Sequence, residues 1–122
     1  MSTMKLKVCG VVVFSVIAWS FASGEATAQT AAPGAVEKGA ALFVSQKCSL
    51  CHGMDGKGNQ KGALDEVGTK LTAAEIRQWI VTPVEMAAKA KADRKPAMKP
   101  YPNLPKDDLD ALVAFLAAKK KK

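Results

Sequence analysis

The sequence has few of the residues that usually build the interior of a small protein. Only 6% of its 122 residues are aromatic, and it contains three cysteines and one histidine. This length allows one small domain and excludes a large multidomain enzyme. The 48% of apolar residues overstates the available core, because many of them lie within the first 28 positions.

Residues 1–28 have the pattern of a secretory signal peptide. A short basic start precedes the apolar run Val8–Phe21, and small residues follow at Ala26–Ala28. We predict cleavage before Gln29, and export through the general secretory route to the periplasm because a twin arginine is lacking. The alternative is a retained membrane anchor, but the run is shorter than the roughly 20 apolar residues that cross a bilayer. We therefore expect no stable membrane insertion after cleavage.

The mature domain is predicted to be residues 29–122, ending in a lysine-rich tail. Losing Lys5, Lys7 and Glu25 lowers the formal charge only from +7 to +6. A domain of this size buries about 60% of its unfolded surface and is marginal without further stabilisation. The aromatic candidates for its core are Phe43, Trp79, Tyr101 and Phe115. So few large side chains predict that something other than protein fills part of the interior.

The apolar residues of the mature domain recur with helical periods, and no segment alternates like a strand. Capping boxes are predicted at Thr72 and Thr82, each with a glutamate three residues later. Glycine-rich 53–68 and proline-rich 94–105 are predicted to be irregular. The expected fold class is therefore all-α, with about four helices: Ala35–Lys47, Thr72–Ile80, Thr82–Ala92 and Lys106–Lys119.

The residues with distinctive chemistry lie in Cys48-Ser49-Leu50-Cys51-His52. On a helical turn, positions i, i+3 and i+4 share one face, so the two thiols and the imidazole should converge. This arrangement suits a haem held by two thioether bonds, with His52 as a ligand of the iron.

Other uses of a cysteine pair fit this sequence less well. A zinc site needs four ligands, but the mature chain has only two cysteines and one histidine. A thioredoxin-type redox pair needs a βαβ setting, and no strand is predicted. A structural disulfide would close too short a loop to stabilise much and would leave His52 unexplained.

Four further features accompany the motif in a fixed order. Gly39 and Phe43 precede it, and Leu112 and Phe115 lie on the last helix. Between them are a glycine-containing loop and a proline-rich segment with a methionine: Gly62–Gly68 and Pro96–Tyr101. In these features the mature chain resembles the small class I c-type cytochromes of bacteria. The resemblance implies the cytochrome c fold, with its helices wrapped around one covalently bound haem c that contains iron.

The sixth ligand of the iron is predicted to be Met98. Met54 is too close to His52 to reach the opposite haem face, and Met86 lies in a predicted helix where a core or surface role is expected. Met98 lies in a proline-stiffened loop with enough chain to cross over. The resemblance further implies that the backbone carbonyl of Ala63 or its neighbour accepts the His52 Nδ1 proton and selects the tautomer that binds iron.

Two aromatic residues and the lysine-rich tail each have two possible roles in the sequence. Trp79 is either a core residue or, by the resemblance, an aromatic side chain against the haem whose N–H meets a propionate, and Tyr101 has the same ambiguity. The Lys119–Lys122 tail is either a solvated terminus or a surface for an anionic partner. Lysines at positions 47, 57, 61 and 99 could surround the haem edge and steer the protein toward acidic docking surfaces.

These features predict a monomeric periplasmic one-electron carrier rather than an enzyme, with redox proteins and not nucleic acid as partners. Histidine and methionine together leave the iron no open position and raise its potential. One alternative is an electron-entry subunit held in a dehydrogenase or terminal oxidase complex. Another is a haem enzyme or gas sensor with a labile Met98, against which the lack of a second histidine argues.

Overall fold

The computed structural model describes residues 32–122. The predicted signal peptide lies outside the described residues. The described chain forms five α-helices and one two-stranded hairpin, which are, in order, α1 (Ala35–Ser45), β1 (Gly53–Met54), β2 (Lys57–Gly58), α2 (Val67–Lys70), α3 (Ala73–Val81), α4 (Pro83–Ala90) and α5 (Lys106–Ala117). Within these residues, no helix is long and apolar enough to cross a membrane.

The first and last helices cross closely and form the centre of the fold. At Gly39 a Cβ atom would collide with the backbone carbonyl of Ala111 and with the side chain of Phe115, so α5 can approach only because the residue is glycine. Next to this crossing, the rings of Phe43 and Phe115 lie 5.9 Å apart at an angle of 57°. This tilted arrangement is favourable for aromatic pairs and fixes the angle between the helices.

The core continues from this crossing to α3, whose apolar face packs on α5. Ile76 and Ile80 of α3 are buried together with Leu112 and Leu116 of α5. At the surface, Arg77 of α3 forms an ion pair with an aspartate of α5 that also binds Lys106. Helices α1, α3 and α5 thus form one packed unit, and α4 and the two irregular segments lie around it.

The capping box predicted at Thr72 is present, whereas the one predicted at Thr82 is not. The backbone N–H of Glu75 donates to Thr72 Oγ1 at 3.2 Å, and the Thr72 N–H donates to Glu75 Oε2 at 2.8 Å. Thr82 is also the C-cap that directly follows the preceding helix, and its hydroxyl donates backward to the Gln78 carbonyl at 3.2 Å. Helix α4 therefore begins without a side-chain cap, at Pro83.

The glycine-rich segment is more regular than its composition predicts. Gly53 pairs with Gly58 and Met54 with Lys57 in an antiparallel hairpin, so the prediction that the chain has no strand is wrong. Its turn places Asp55 and Gly56 at φ 50° and 75°, the positive values that an Asp-Gly turn supplies. The short helix α2 was also not predicted. The fold class is nevertheless all-α, since each strand has only two residues.

The lysine tail is attached to the fold. Lys119 pairs through its Nζ with Asp55 Oδ2 at 2.6 Å, and its carbonyl accepts the Gly68 N–H at 2.8 Å. Further along, the N–H of Lys121 donates to Thr69 Oγ1 at 2.8 Å. The start of the tail therefore joins α5 to α2 and to the hairpin, which a fully solvated terminus would not do.

Candidate functional site

The attachment segment, Cys48–His52, follows α1 after a sharp turn. Lys47 has a left-handed φ of 59°, which ends the helix and redirects the chain into the 3₁₀ turn Cys48–Leu50. The N–H groups of Cys51 and His52 both donate to the Cys48 carbonyl, at 3.1 Å and 2.9 Å. Residues 48–52 therefore form a single helical turn. Cys48 and His52 are half-buried, and Cys51 is exposed.

A hydrogen bond to a backbone carbonyl determines which ring nitrogen of His52 carries the proton. Its Nδ1 lies 3.0 Å from the carbonyl oxygen of Gly62. Because a carbonyl can only accept, Nδ1 carries the proton and Nε2 keeps a free electron pair. Burial lowers the pKa of His52, the Gly62 hydrogen bond partly opposes this, and the charge of Arg94 adds to the lowering. The imidazole is therefore neutral at neutral pH, and the accepting residue is Gly62, the neighbour of Ala63.

An apolar cavity of about 420 Å³ lies beside this segment. Its walls come mainly from apolar side chains of α3 and α4, with single residues of α2 and α5 beside them, including Val67, Ile76, Ile80, Val84 and Leu116. Cys51 and His52 lie at its edge, and the loop 92–98 covers another side. A smaller cavity of about 40 Å³ adjoins Cys48, Phe43 and Tyr101.

Of the three methionines in the described residues, Met98 is the one at the cavities. It is half-buried and borders both of them, as does His52. Met86 is buried on α4, and Met54 is buried in β1. Neither of these two side chains lines either cavity in the described part of the chain.

Trp79 and Tyr101 each border one cavity. Trp79, on α3, is half-buried at the wall of the larger cavity. Tyr101 borders the smaller one, and its hydroxyl donates to the Gln46 carbonyl at 3.1 Å. Burial raises the pKa of Tyr101, so it stays protonated at neutral pH. This hydrogen bond joins residues 92–101, the methionine loop that carries Met98, to the end of α1.

Arg94 is the residue of this site that the sequence did not reveal. Its Nη2 donates to the Cys51 carbonyl at 2.7 Å, and its guanidinium group lies against Gly62. An exposed arginine in a proline-rich loop has no spacing relation to the motif that could have identified it. The contact depends on how the loop folds back.

The donors and walls of this site fit a covalently attached haem. The turn offers the Cys51 thiol at the larger cavity, the Cys48 thiol at the smaller one, and a neutral imidazole with a free Nε2 that borders both. Met98 offers a thioether that also borders both cavities. The volume lies within the roughly 300–1,000 Å³ of small-molecule and cofactor sites. Within residues 32–122, no group of three or more His, Cys, Asp or Glu side chains could hold a bare metal ion.

Comparison with known families agrees with this geometry. The all-α fold and the attachment motif beside an apolar cavity define a haem-binding electron-transfer protein. A family model described as Cytochrome c matches residues 36–120, so the chain belongs to the cytochrome c family. It is a small class I c-type cytochrome, and this membership implies covalently bound haem c with iron. Searches among curated proteins and among solved structures gave no match.

Proposed function

We propose that the protein is a periplasmic one-electron carrier whose haem is attached through Cys48 and Cys51 and ligated by His52 and Met98. One observation carries the choice of ligands. His52 and Met98 border both cavities, whereas Met54 and Met86 are buried elsewhere. When bound, the haem accepts and releases one electron at a time.

The chain contributes orientation and exclusion of water. The Gly62 carbonyl holds the proton of His52 on Nδ1 and leaves the electron pair of Nε2 free to bind iron. As the second ligand, the Met98 thioether would favour the reduced state and would keep oxygen or a substrate from binding the iron. The aliphatic walls keep the local dielectric constant low, which also raises the potential. Such a site transfers electrons and leaves no position for catalysis on a small molecule.

Export and docking complete the proposal. The signal-like residues 1–28 support a periplasmic location, in which the mature chain works as a monomer. Lys47, Lys57, Lys61 and Lys99 are all exposed, and two of them adjoin proposed haem ligands in sequence. These charges support recognition of redox proteins with acidic docking surfaces.

The test of the ligand assignment is to remove each candidate methionine from the holoprotein. In Met98→Ala we expect the ferrous form to bind carbon monoxide readily and the reduction potential to fall, because the thioether is lost. Met86→Ala is the control, and we expect neither change. Carbon monoxide binding in Met86→Ala but not in Met98→Ala would transfer the ligand role to Met86.

A further inference from the structure

Arg94 joins two parts of the site that are far apart in sequence. It belongs to the loop between α4 and α5 that carries Met98, and it donates to the carbonyl of Cys51, 43 residues earlier, at 2.7 Å. Cys51 belongs to the attachment segment. The hydrogen bond therefore joins two segments of the wall of the larger cavity, which Arg94, Met98 and Cys51 all line.

Gly62 makes room for this contact. A Cβ atom at this position would collide with Arg94 Nη1 and with the Cys51 carbonyl oxygen. The carbonyl of Gly62 also accepts the proton of His52 at 3.0 Å. The methionine loop, the attachment segment and the loop that orients His52 thus meet at the guanidinium group.

The rest of the methionine loop is held on one side only. After Met98, Tyr101 donates from its backbone N–H to the Ile80 carbonyl at 2.9 Å and from its hydroxyl to the Gln46 carbonyl at 3.1 Å. Between Ala92 and Tyr101, the hydrogen bonds of the described chain to other segments come from the Arg94 side chain alone. Within this stretch the residues on both sides of Met98 are exposed, and Met98 itself is half-buried.

We propose that Arg94 is a positioning residue that keeps Met98 in the site by tying the N-terminal side of the methionine loop to the Cys51 carbonyl. This rests on the proposed function, in which Met98 is an iron ligand. A hydrogen bond from a charged donor is stronger than a neutral one, but solvent at this exposed position weakens it. Its loss should therefore raise the population of the open loop by about tenfold.

Carbon monoxide binding to the ferrous holoprotein measures how often Met98 leaves. In Arg94→Gln we expect binding about ten times faster than in the wild type. Arg94→Lys keeps the charge but loses the planar group, so we expect an intermediate rate. Lys89→Gln is the control, because it removes the same charge from an exposed position of α4 that does not line the cavity, and we expect the wild-type rate.

The controls distinguish the loss of the Arg94 hydrogen bond from a change in net charge and from a loss of folding stability. An equal acceleration in Lys89→Gln would overturn the proposal, because the effect would then come from net charge. Thermal unfolding of each holoprotein provides a second readout, and we expect Arg94→Gln and Lys89→Gln to unfold at similar temperatures. An acceleration in Arg94→Gln that only follows a lower unfolding temperature would also overturn it. If Arg94→Gln loses its haem, Arg94→Lys supplies the comparison.

Met98→Ala, measured in the same series, separates this proposal from the one on which it rests. Fast carbon monoxide binding in Met98→Ala, with wild-type rates in both Arg94 variants, would overturn the role of Arg94 and leave Met98 as the ligand. Wild-type binding in Met98→Ala would overturn the ligand assignment itself, and the role of Arg94 with it.

Discussion

Single residues of the attachment segment differ in how much the protein surrounds them. Cys51 is exposed, whereas Cys48 is half-buried, and burial raises the pKa of the Cys48 thiol. A raised pKa leaves less thiolate, which is the nucleophilic form. The folded chain therefore does not activate Cys48 by itself, and the reactive form of this thiol is more available before it is buried.

The double substitution Cys48→Ser with Cys51→Ser tests the attachment. We expect complete loss of covalent haem, since the proposed attachment forms both thioether bonds at these residues, and mass spectrometry of the denatured protein would show it. Cys9→Ser provides the control. Position 9 lies in the predicted signal peptide, so the mass of the mature protein with its haem should not change. A haem that survives denaturation in the double variant would refute the assignment.

Among single residues, the sequence predicts those site residues that lie close together along the chain. The turn over Cys48–His52 follows from three neighbouring positions. The carbonyl acceptor near Ala63 was expected only from the resemblance to a family, and it is the neighbour Gly62. Arg94 could not be predicted, because its contact depends on a tertiary approach across 43 residues. The roles of Trp79 and Tyr101 at the haem stay predictions, although the hydroxyl of Tyr101 already has a protein partner.

Among the elements, the crossing of α1 and α5 depends most on one position. Gly39 lies inside a helix, where alanine would ordinarily be more favourable by about 1 kcal/mol. Here a Cβ would meet the Ala111 carbonyl, which belongs to the backbone of α5 and cannot rotate away. The clash therefore outweighs the helical preference.

Gly39→Ala should lower the free energy of unfolding of the holoprotein by about 1–3 kcal/mol, the usual cost of overpacking. Denaturant unfolding followed by circular dichroism would measure it. The control is Val44→Ala on the same helix, where the side chain is 66% exposed and the change should stay within about 0.5 kcal/mol. A stabilised Gly39→Ala variant would show that α5 can move away at little cost.

The elements that the sequence predicts well are those with strong periodicity. Each of the four main helices was predicted, and the Thr72 capping box is confirmed. The hairpin was missed, although Asp55-Gly56 is a turn signal, because strands of two residues have too few positions to show alternation. At Thr82 the local pattern failed because one residue had to serve the end of α3 and the start of α4.

For the whole molecule, the excess of positive charge is the property with the longest range. The chain carries a formal charge of +7, and the structure leaves Lys47 and Lys99 exposed. At 0.1 M salt such charges act over a Debye length of about 10 Å, and at 1 M over about 3 Å. Association with an acidic redox partner should therefore slow steeply as salt is added.

Charge reversal at single lysines tests whether the steering comes from the lysines next to the attachment segment and Met98. In Lys47→Glu and Lys99→Glu we expect the bimolecular electron-transfer rate at low salt to fall roughly threefold or more. Lys122→Glu makes the same change of net charge at the chain end and should have a smaller effect. Equal rates in all three variants, or a wild-type rate independent of salt, would rule out steering by these lysines.

The packing of the first helix on the last one also sets the order in which the protein can mature. A chain made from its N-terminus produces α1 and the attachment segment first, but Ala111 and Phe115, which cover α1, come near the end. Contacts between distant parts of a chain form only after the intervening loop is closed, which slows folding. Throughout synthesis the two thiols therefore remain on unfolded chain, and covalent modification can precede folding.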